Sequence, residues 1–190
     1  MKDLNKTIVV DESNPWTTNE TRQIYENPWL RIREDSVIQP DGKPGIYGVV
    51  HFRNKAVGVL PIDDEGYTYL IGQYRYPLNI YSWEIPEGGC PEGENTLAAG
   101  QRELLEETGL TAQKWELLCR SHLSNSATDE EAFLYLAEGL QQGVAQPEGT
   151  ELLACKRVPF QTAVQMVENG EITDAMSMLA ILTMAKRLKR

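Results

Sequence analysis

Cysteine and histidine are scarce in this chain of 190 residues. The three cysteines are widely spaced and form no Cys-x-x-Cys pair, so the sequence predicts neither a disulfide framework nor a zinc site. The two histidines, His51 and His122, have no second ligand at metal-binding spacing, and we expect no histidine-based nucleophilic triad. Because no disulfide pattern is present, a reducing compartment is favoured, and we expect a cytoplasmic protein.

Positive charge and long apolar runs are lacking as well. The chain has 18 Lys and Arg against 28 Asp and Glu, a net charge of −10. This balance argues against a nucleic-acid partner, because neutralising phosphates needs a basic field. No apolar run approaches the ~18 residues of a membrane-spanning helix, and the N-terminus lacks the apolar core of a secretory signal, so no membrane association is expected. An acidic protein that binds a phosphate-bearing substrate must therefore supply divalent cations or local arginines.

Strand-like segments dominate the first half of the chain, and helices follow. Residues 1–28 are polar and irregular and are predicted to form an N-terminal arm, whereas residues 29–190 are predicted to form one folded domain. Strands are predicted over 29–38, 46–52, 56–62, 67–74, 80–85, 115–120, 132–137 and 152–158. Helices are predicted over 95–108, 159–168 and 174–187, with a Pro-Gly loop at 86–93. This order predicts a mixed α/β or α+β domain whose sheet is covered by helices.

The predicted helix 95–108 carries an unusual group of acidic residues. Glu103, Glu106 and Glu107 fall in one sector about 100° wide, where like charges destabilise a bare helix and oppose its dipole. Bound Mg²⁺ would turn this repulsion into a favourable interaction, because the ion takes oxygen ligands and is shared between carboxylates and phosphate. A solvated acidic face is the structural alternative. The apolar residues predicted to be buried on this helix are Leu97, Ala98, Leu104 and Leu105.

These carboxylates belong to a longer motif. The chain reads Gly88, five residues, Glu94, seven residues, Arg102-Glu103-Leu104, one residue, Glu106-Glu107, one residue, Gly109-Leu110. Every fixed position of the Nudix box is filled, so the sequence resembles Nudix hydrolases over residues 88–110. Weaker similarity to the branch of ADP-ribose pyrophosphatases and nucleoside-diphosphate-sugar hydrolases extends from about residue 29 to the C-terminus.

The resemblance implies a fold and a metal site. The fold is α/β, the Nudix α/β/α sandwich with a mixed central sheet and a loop–helix–loop catalytic motif. The implied cofactor is Mg²⁺, with Mn²⁺ as a substitute. By the resemblance, Glu103 and Glu107 are the principal metal ligands, Glu106 is a further ligand or bridge, and the backbone carbonyl of Glu87 adds another. Arg102 orients the catalytic carboxylates, and Glu94 closes the loop onto the helix.

Two motifs upstream of the box resemble the strands that surround the diphosphate in that branch. Gln73 and Arg75 lie in the first, and Glu84 lies in the second. Arg75 is expected to bind a phosphate through two parallel hydrogen bonds, with a surface strand arginine as the alternative. Glu84 is expected to reach a ribose hydroxyl or the metal site, with a plain ion pair in the sheet as the alternative. Trp29 or Trp16 is a candidate for stacking on the base, although a lone tryptophan is more often in the core.

A segment downstream of the box aligns with a loop that supplies a glutamate in this branch. Glu130 is the predicted general base for the attacking water, and Glu131 is the alternative. The loop begins with Ser124-Asn125-Ser126, where ADP-ribose pyrophosphatases commonly have Ser-Pro-Gly. This departure favours a broader range of nucleotide sugars than ADP-ribose alone.

Together these residues predict an enzyme, a Nudix pyrophosphohydrolase. The predicted reaction is metal-dependent hydrolysis of the diphosphate bond of nucleoside-diphosphate sugars, such as ADP-ribose or GDP-mannose, to a nucleoside monophosphate and a sugar phosphate. One alternative is a Nudix hydrolase of dinucleoside polyphosphates or oxidised nucleotides. A second is a non-catalytic Nudix sensor that binds a nucleotide sugar. Because members of the branch typically dimerise, the resemblance also implies a homodimer.

Overall fold

The computed structural model describes residues 11–143 and 153–189, which form ten strands and three helices. The strands are β1 (Thr17–Glu26), β2 (Leu30–Ile38), β3 (Pro44–Phe52), β4 (Lys55–Pro61), β5 (Tyr67–Arg75), β6 (Ile80–Glu84), β7 (Glu87–Cys90), β8 (Leu110–His122), β9 (Glu131–Gln142) and β10 (Ala154–Pro159). The helices are α1 (Thr96–Thr108), α2 (Phe160–Glu168) and α3 (Ala175–Leu188). Residues 1–10 of the predicted arm and residue 152 of a predicted strand lie outside the described residues.

The strands form three sheets, with the orders β1-β2-β3, β10-β5-β6 and β7-β4-β9-β8. The four-stranded sheet is mixed, because β4 pairs parallel with β9 and antiparallel with β7. A strand covered on both faces is expected to be a nearly continuous apolar run. The sequence of β4 fits this expectation, since Val57, Val59 and Leu60 are fully buried.

Alternate residues of β4 face different helices. Val59 packs in one cluster with Leu104 of α1. Leu60 belongs to the opposite cluster, which contains buried residues of α2 and α3 such as Val164 and Ile181. The sheet therefore lies between α1 on one face and α2 with α3 on the other, and the predicted α/β/α sandwich with a mixed sheet is confirmed. No helix in residues 11–143 or 153–189 is long and apolar enough to cross a membrane.

The sheet β1-β2-β3 corrects the prediction of irregular structure before residue 29. Strand β1 is exposed along its whole length and pairs antiparallel with β2, with Thr17 opposite Ile38 and Glu26 opposite Arg31. Because both faces of β1 meet solvent, its sequence shows no apolar alternation, which is the signal that a half-buried strand leaves. The sheet extends across residue 28, where the boundary between arm and domain was predicted. That domain boundary stays a prediction.

Helix α1 has the predicted ends but not the predicted buried face. The Asn95 side chain accepts hydrogen bonds from the backbone N–H groups of Leu97 and Ala98, and Gly109 ends the helix with a φ of 72°. The apolar stripe was wrong in part, because Ala98 is exposed while Leu97 and Leu105 are only half-buried. The buried residues are instead Ala99, Gly100, Leu104 and Glu107.

Small residues explain this correction. A Cβ on Gly100 would lie 3.3 Å from a methyl group of Val59, so the helix approaches β4 through its smallest side chains. The Pro-Gly loop predicted at 86–93 also needs correction, because its first half forms β7. Strand β7 pairs with β4 and contacts α1, which brings the backbone at 87–88 against the acidic face of the helix.

Candidate active site

Arg102 lies at the centre of the acidic face of α1. Its guanidinium donates to Glu103 at 2.7 Å, to Glu106 at 2.9 Å and to the carbonyl oxygen of Gly89 at 2.8 Å. Glu94 lies 3.4 Å from the same guanidinium, so the loop before α1 is tied to the helix. Burial by itself would lower the pKa of Arg102, but Glu103, Glu94 and Glu106 raise it above its usual value. Arg102 therefore stays cationic and is hydrogen-bonded to Glu94, Glu103 and Glu106 at once.

The two outer carboxylates of this face reach back to β7. Glu107 is 8% exposed, and its Oε2 accepts a hydrogen bond from the backbone N–H of Glu87 at 3.0 Å. The Glu103 carboxylate occupies the space where a side chain at position 88 would begin. A glycine at position 88 therefore lets the Glu103 carboxylate lie directly against the backbone of β7.

These groups line a cavity of about 570 Å³, together with Asn54, Gly89 and Pro91. Its acidic lining residues are Glu87, Glu94, Glu103, Glu106 and Glu107. Within residues 11–143 and 153–189 no three Asp, Glu, His or Cys side chains are already gathered around a point that could hold a metal ion. The donor chemistry nevertheless fits a hard divalent cation, because every acidic group offers carboxylate oxygen and Gly88 leaves Glu103 room beside the backbone.

A second charged cluster adjoins the first on β5 and β6. Arg75 donates through Nε to both carboxylate oxygens of Glu84, at 2.9 and 3.0 Å, and through Nη2 to Glu87 at 2.7 Å. Glu84 is 2% exposed, and Gln73 donates to it at 3.4 Å. The ion pair that was the alternative for Glu84 is thus present. The side chain of Arg75 remains 35% exposed, which leaves its outer edge open to the cavity.

Glu87 has a role that the sequence did not reveal. The resemblance assigned only its backbone carbonyl, yet its carboxylate lies between the two clusters and is almost fully buried. Burial raises the pKa of Glu87 well above its usual value, Asp174 and Glu84 raise it further, and Arg75 opposes them. Its Oε2 is buried without a hydrogen-bond partner among the described residues. A carboxylate of this kind is stable only if it is protonated or if a cation is nearby.

Asp174 and Asn54 are further residues that sequence reasoning missed at the site. Asp174 caps α3, accepting a hydrogen bond from the backbone N–H of Ser177 at 2.7 Å, and it also lines, with Glu87, a second cavity that contains Arg75 and Glu84. Asn54 lies in the turn between β3 and β4 and lines both this cavity and the acidic one. A cap and a turn residue carry no signal of a binding site in the sequence alone, because only packing places them there.

The structure separates the two candidates for the general base. Glu130 is half-buried and lines a cavity of about 660 Å³ that also contains Trp29, Gln73, Arg75 and Glu84. Burial, and secondarily the charge of Asp129, raise the pKa of Glu130 above its usual value. Glu131 instead forms ion pairs, with Lys55 at 3.3 Å and with Arg120.

The two candidate tryptophans also differ in their position relative to this cavity. Trp29 is 70% exposed and lines the cavity of Glu130. Trp16 is not among the residues that line this cavity and contacts Tyr47 edge-on, with ring centroids 5.3 Å apart. Apart from Trp16 and Glu131, the predicted residues therefore line two cavities, one acidic and one containing Arg75, which share Asn54, Glu87, Gly88 and Gly89.

Two family models match the chain. The NUDIX domain matches residues 52–177, and the N-terminal domain of nucleoside diphosphate sugar hydrolases matches residues 16–50. This chain belongs to the Nudix family. It is a Nudix pyrophosphohydrolase of the ADP-ribose pyrophosphatase branch, and Nudix hydrolases generally use a divalent metal. The N-terminal match covers β1, β2 and most of β3.

Similar proteins include two named ADP-ribose pyrophosphatases. The protein from Bacillus subtilis is 32% identical over 161 residues, which cover 84% of this chain and 86% of that protein. The protein from Mycobacterium tuberculosis is 32% identical over 170 residues, covering 87% of this chain and 81% of that protein. The methanol dehydrogenase activator of Bacillus methanolicus is 30% identical over 166 residues, covering 86% and 89%.

A solved structure supports the Nudix fold. The crystal structure of an ADP compounds hydrolase superposes with a TM-score of 0.84, at 20% sequence identity, over 95% of this chain and 97% of that one. The match extends over all three layers of the sandwich and over the N-terminal sheet.

Proposed function

We propose that this Nudix protein hydrolyses the diphosphate bond of nucleoside-diphosphate sugars, with ADP-ribose and GDP-mannose as representative substrates. The observation that carries the proposal is the junction of two cavities at Glu87 and Gly88. One cavity offers carboxylates for a divalent cation, and the other offers Arg75 and Trp29. The names of the similar pyrophosphatases agree with this substrate class.

The acidic cavity is proposed to hold Mg²⁺, with Mn²⁺ as a substitute. Glu103, Glu106 and Glu107 provide carboxylate ligands, and the backbone carbonyl of Glu87 provides another. When bound, the ion supplies positive charge that neutralises the diphosphate and favours deprotonation of water. Arg102 keeps the carboxylates together through its hydrogen bonds to Glu103 and Glu106.

The neighbouring cavity is proposed to hold the rest of the substrate. Arg75 binds a phosphate oxygen with its exposed edge, while Glu84 fixes its orientation from the buried side. Gln73 supports Glu84 through their hydrogen bond. Trp29 presents an exposed ring for stacking against a base, a contact that tolerates different nucleotides.

The reaction is a displacement at phosphorus. Glu130 accepts a proton from the attacking water, a new P–O bond forms, and the bond from that phosphorus to the bridging oxygen breaks. The products are a nucleoside monophosphate and a sugar phosphate. No covalent intermediate with the protein is needed, so the side chains contribute positioning and charge stabilisation.

We also propose that the protein acts as a homodimer. Besides the resemblance, support comes from exposed apolar side chains on the β5–β6 hairpin, where Tyr76 is 89% exposed and Leu78 is 65% exposed. Exposed apolar surface of this kind is typical of a contact with another protein surface. Light scattering after size exclusion tests this proposal, and a monomer at all concentrations contradicts it. The cytoplasmic location stays a prediction.

The experiment that tests the activity measures phosphate release in the presence of a phosphatase. Substrates are ADP-ribose, GDP-mannose, UDP-glucose and diadenosine polyphosphates, each with Mg²⁺ and with EDTA. We expect turnover of nucleotide sugars with Mg²⁺ and none with EDTA. Preferential turnover of diadenosine polyphosphates would support the alternative Nudix activity. Tight binding of a nucleotide sugar without turnover would support the sensor.

A further inference from the structure

The loop that carries Glu130 is attached to the free edge of the N-terminal sheet. Strand β3 is an edge strand, because among residues 11–143 and 153–189 it pairs only with β2 within that sheet. Two backbone hydrogen bonds join this edge to the loop, from Val50 N–H to the carbonyl of Ala127 at 2.9 Å and from Asp129 N–H to the carbonyl of Val50 at 3.3 Å. The hydroxyl of Tyr47 donates to the carbonyl of Ser126 at 2.8 Å.

Side-chain contacts of Asp129 complete the attachment. One carboxylate oxygen is hydrogen-bonded to Nδ1 of His51, and the other accepts from the backbone N–H of Phe52 at 3.3 Å. The loop is compact in itself, since the N–H groups of Ala127 and Thr128 both donate to the carbonyl of Ser124. It is therefore a preformed turn that Asp129 fastens to β3.

Glu130 lies between two anchors. The preceding residue, Asp129, is bound to β3, and the following residue, Glu131, begins β9 opposite His122. Because adjacent Cα atoms are about 3.8 Å apart, these anchors define where the Glu130 backbone lies. If the side-chain contacts of Asp129 are lost, the loop keeps its backbone hydrogen bonds and the Tyr47 contact, but the side chain of Glu130 is held less firmly toward the cavity that contains Arg75 and Glu84.

We propose that His51 and Asp129 form a positioning pair that holds Glu130 over the diphosphate cavity. The inference rests on the proposed function of Glu130 as general base. It gives the N-terminal sheet a role in the chemical step, because His51 belongs to β3. Neither residue lines the cavity that contains Arg75 and Glu130, so the pair is proposed to act through Glu130.

Asp129→Ala removes both side-chain contacts of this anchor. We expect kcat for ADP-ribose to fall between about 10- and 100-fold, because displacement of a reacting group by about 1 Å has effects of that order. KM should stay unchanged, because Arg75 and Trp29 are untouched. His51→Ala should have a smaller effect on kcat, because the contact between Asp129 and Phe52 remains. Asp129→Asn should recover most of the loss, because its amide can still accept from Phe52 and donate to His51.

Asp41→Ala is the matched control. Like Asp129, Asp41 is an exposed aspartate that binds a backbone N–H and a side-chain nitrogen, here both from Lys43, in the turn between β2 and β3. Its loss should leave kcat unchanged. Hydrogen exchange of residues 123–130, measured by mass spectrometry, reports the attachment without depending on activity. Exchange should accelerate in Asp129→Ala and not in Asp41→Ala.

A double variant tests whether the effect passes through Glu130. In the Glu130→Gln background, adding Asp129→Ala should cost no further activity. Unchanged exchange in Asp129→Ala, or faster exchange with an unchanged kcat, overturns the positioning pair. A fully active Glu130→Gln enzyme also overturns the pair while the hydrolase activity stands. A wild-type protein without turnover instead rejects the proposed function, and the catalytic role of the pair with it.

Discussion

Gly88 lies directly against the carboxylate of Glu103. A Cβ on Gly88 would be 2.3 Å from Cδ of Glu103 and 2.3 Å from its Oε1. Non-bonded heavy atoms cannot approach this closely. The Glu103 carboxylate can therefore take this position only because residue 88 has no side chain. The spacing of the motif in the sequence is thus explained by a contact between β7 and α1.

Gly88→Ala should impair catalysis more than folding. The Glu103 side chain can rotate away from the new methyl group, so the free energy of unfolding should fall by about 1 kcal/mol or less. Its carboxylate then leaves the acidic cavity, and metal binding should weaken about 10- to 100-fold, as when the support of a metal ligand is lost. The measurements are the Mg²⁺ dependence of turnover and the melting temperature.

Gly48→Ala is the control for that variant. Gly48 is also in a strand, and a Cβ there would meet nothing within 4 Å. Its Mg²⁺ dependence should match wild type. If Gly88→Ala responds to Mg²⁺ as Gly48→Ala does, the proposed contact has no role in metal binding.

Glu107→Gln should nearly abolish turnover while the fold stays intact. The amide oxygen can still accept the hydrogen bond from the backbone of Glu87, but it carries no charge for a cation. We expect kcat to fall on the order of 10²-fold or more, comparable to the loss of a strong electrostatic contact in a transition state. Glu116→Gln, an exposed change on β8, is the control. A Glu107→Gln enzyme that keeps most activity would remove Glu107 from the ligand set.

The pH dependence of turnover should identify the general base. Burial and Asp129 raise the pKa of Glu130, so activity should be lost as the pH falls through a value above the usual 4.5. Glu130→Gln should lower kcat roughly 10²-fold or more and remove this acidic limb. Glu131→Gln should keep most activity, because Glu131 is engaged by Lys55 and Arg120. The reverse order of the two variants would assign the base to Glu131.

Glu87→Gln should stabilise the metal-free protein at neutral pH. Burial raises the folded-state pKa of Glu87 well above its usual value of 4.5, with Asp174 and Glu84 adding to the effect. The folded protein therefore binds more protons than the unfolded chain between these two values, and stability falls as the pH rises through that window. A glutamine has no charge to bury, so its advantage should be present at neutral pH and vanish toward pH 4.5.

Thermal unfolding in EDTA, at several pH values, measures that difference. EDTA is needed because a divalent cation beside Glu87 would offset the cost of its charge. Glu138→Gln, an exposed change on β9, should shift the melting temperature little at any pH. A difference between Glu87→Gln and wild type that does not vary with pH would show that Glu87 does not titrate in this range.

The sequence alone determined the family and much of the local structure. The fixed spacing from Gly88 to Leu110 carried the resemblance to the Nudix family and placed three carboxylates on one face of a helix, because residues three and four apart are neighbours there. The predicted helix 95–108 agrees with α1, whose caps are Asn95 and Gly109. The order of strand-like and helical segments predicted a sheet covered by helices, and the resemblance implied the sandwich.

Tertiary structure decided which residues of those elements meet. The buried face of α1 contains Ala99 and Gly100, because close packing on β4 favours small side chains over the larger stripe seen in the sequence. The fold also gave the two loop glutamates different surroundings, because Glu131 pairs with Lys55 and Arg120 while Glu130 lines the cavity. The Glu87 carboxylate and the His51–Asp129 pair join segments far apart in the chain. Such contacts arise when strands pack together, and no pattern of residue spacing in the sequence predicts them.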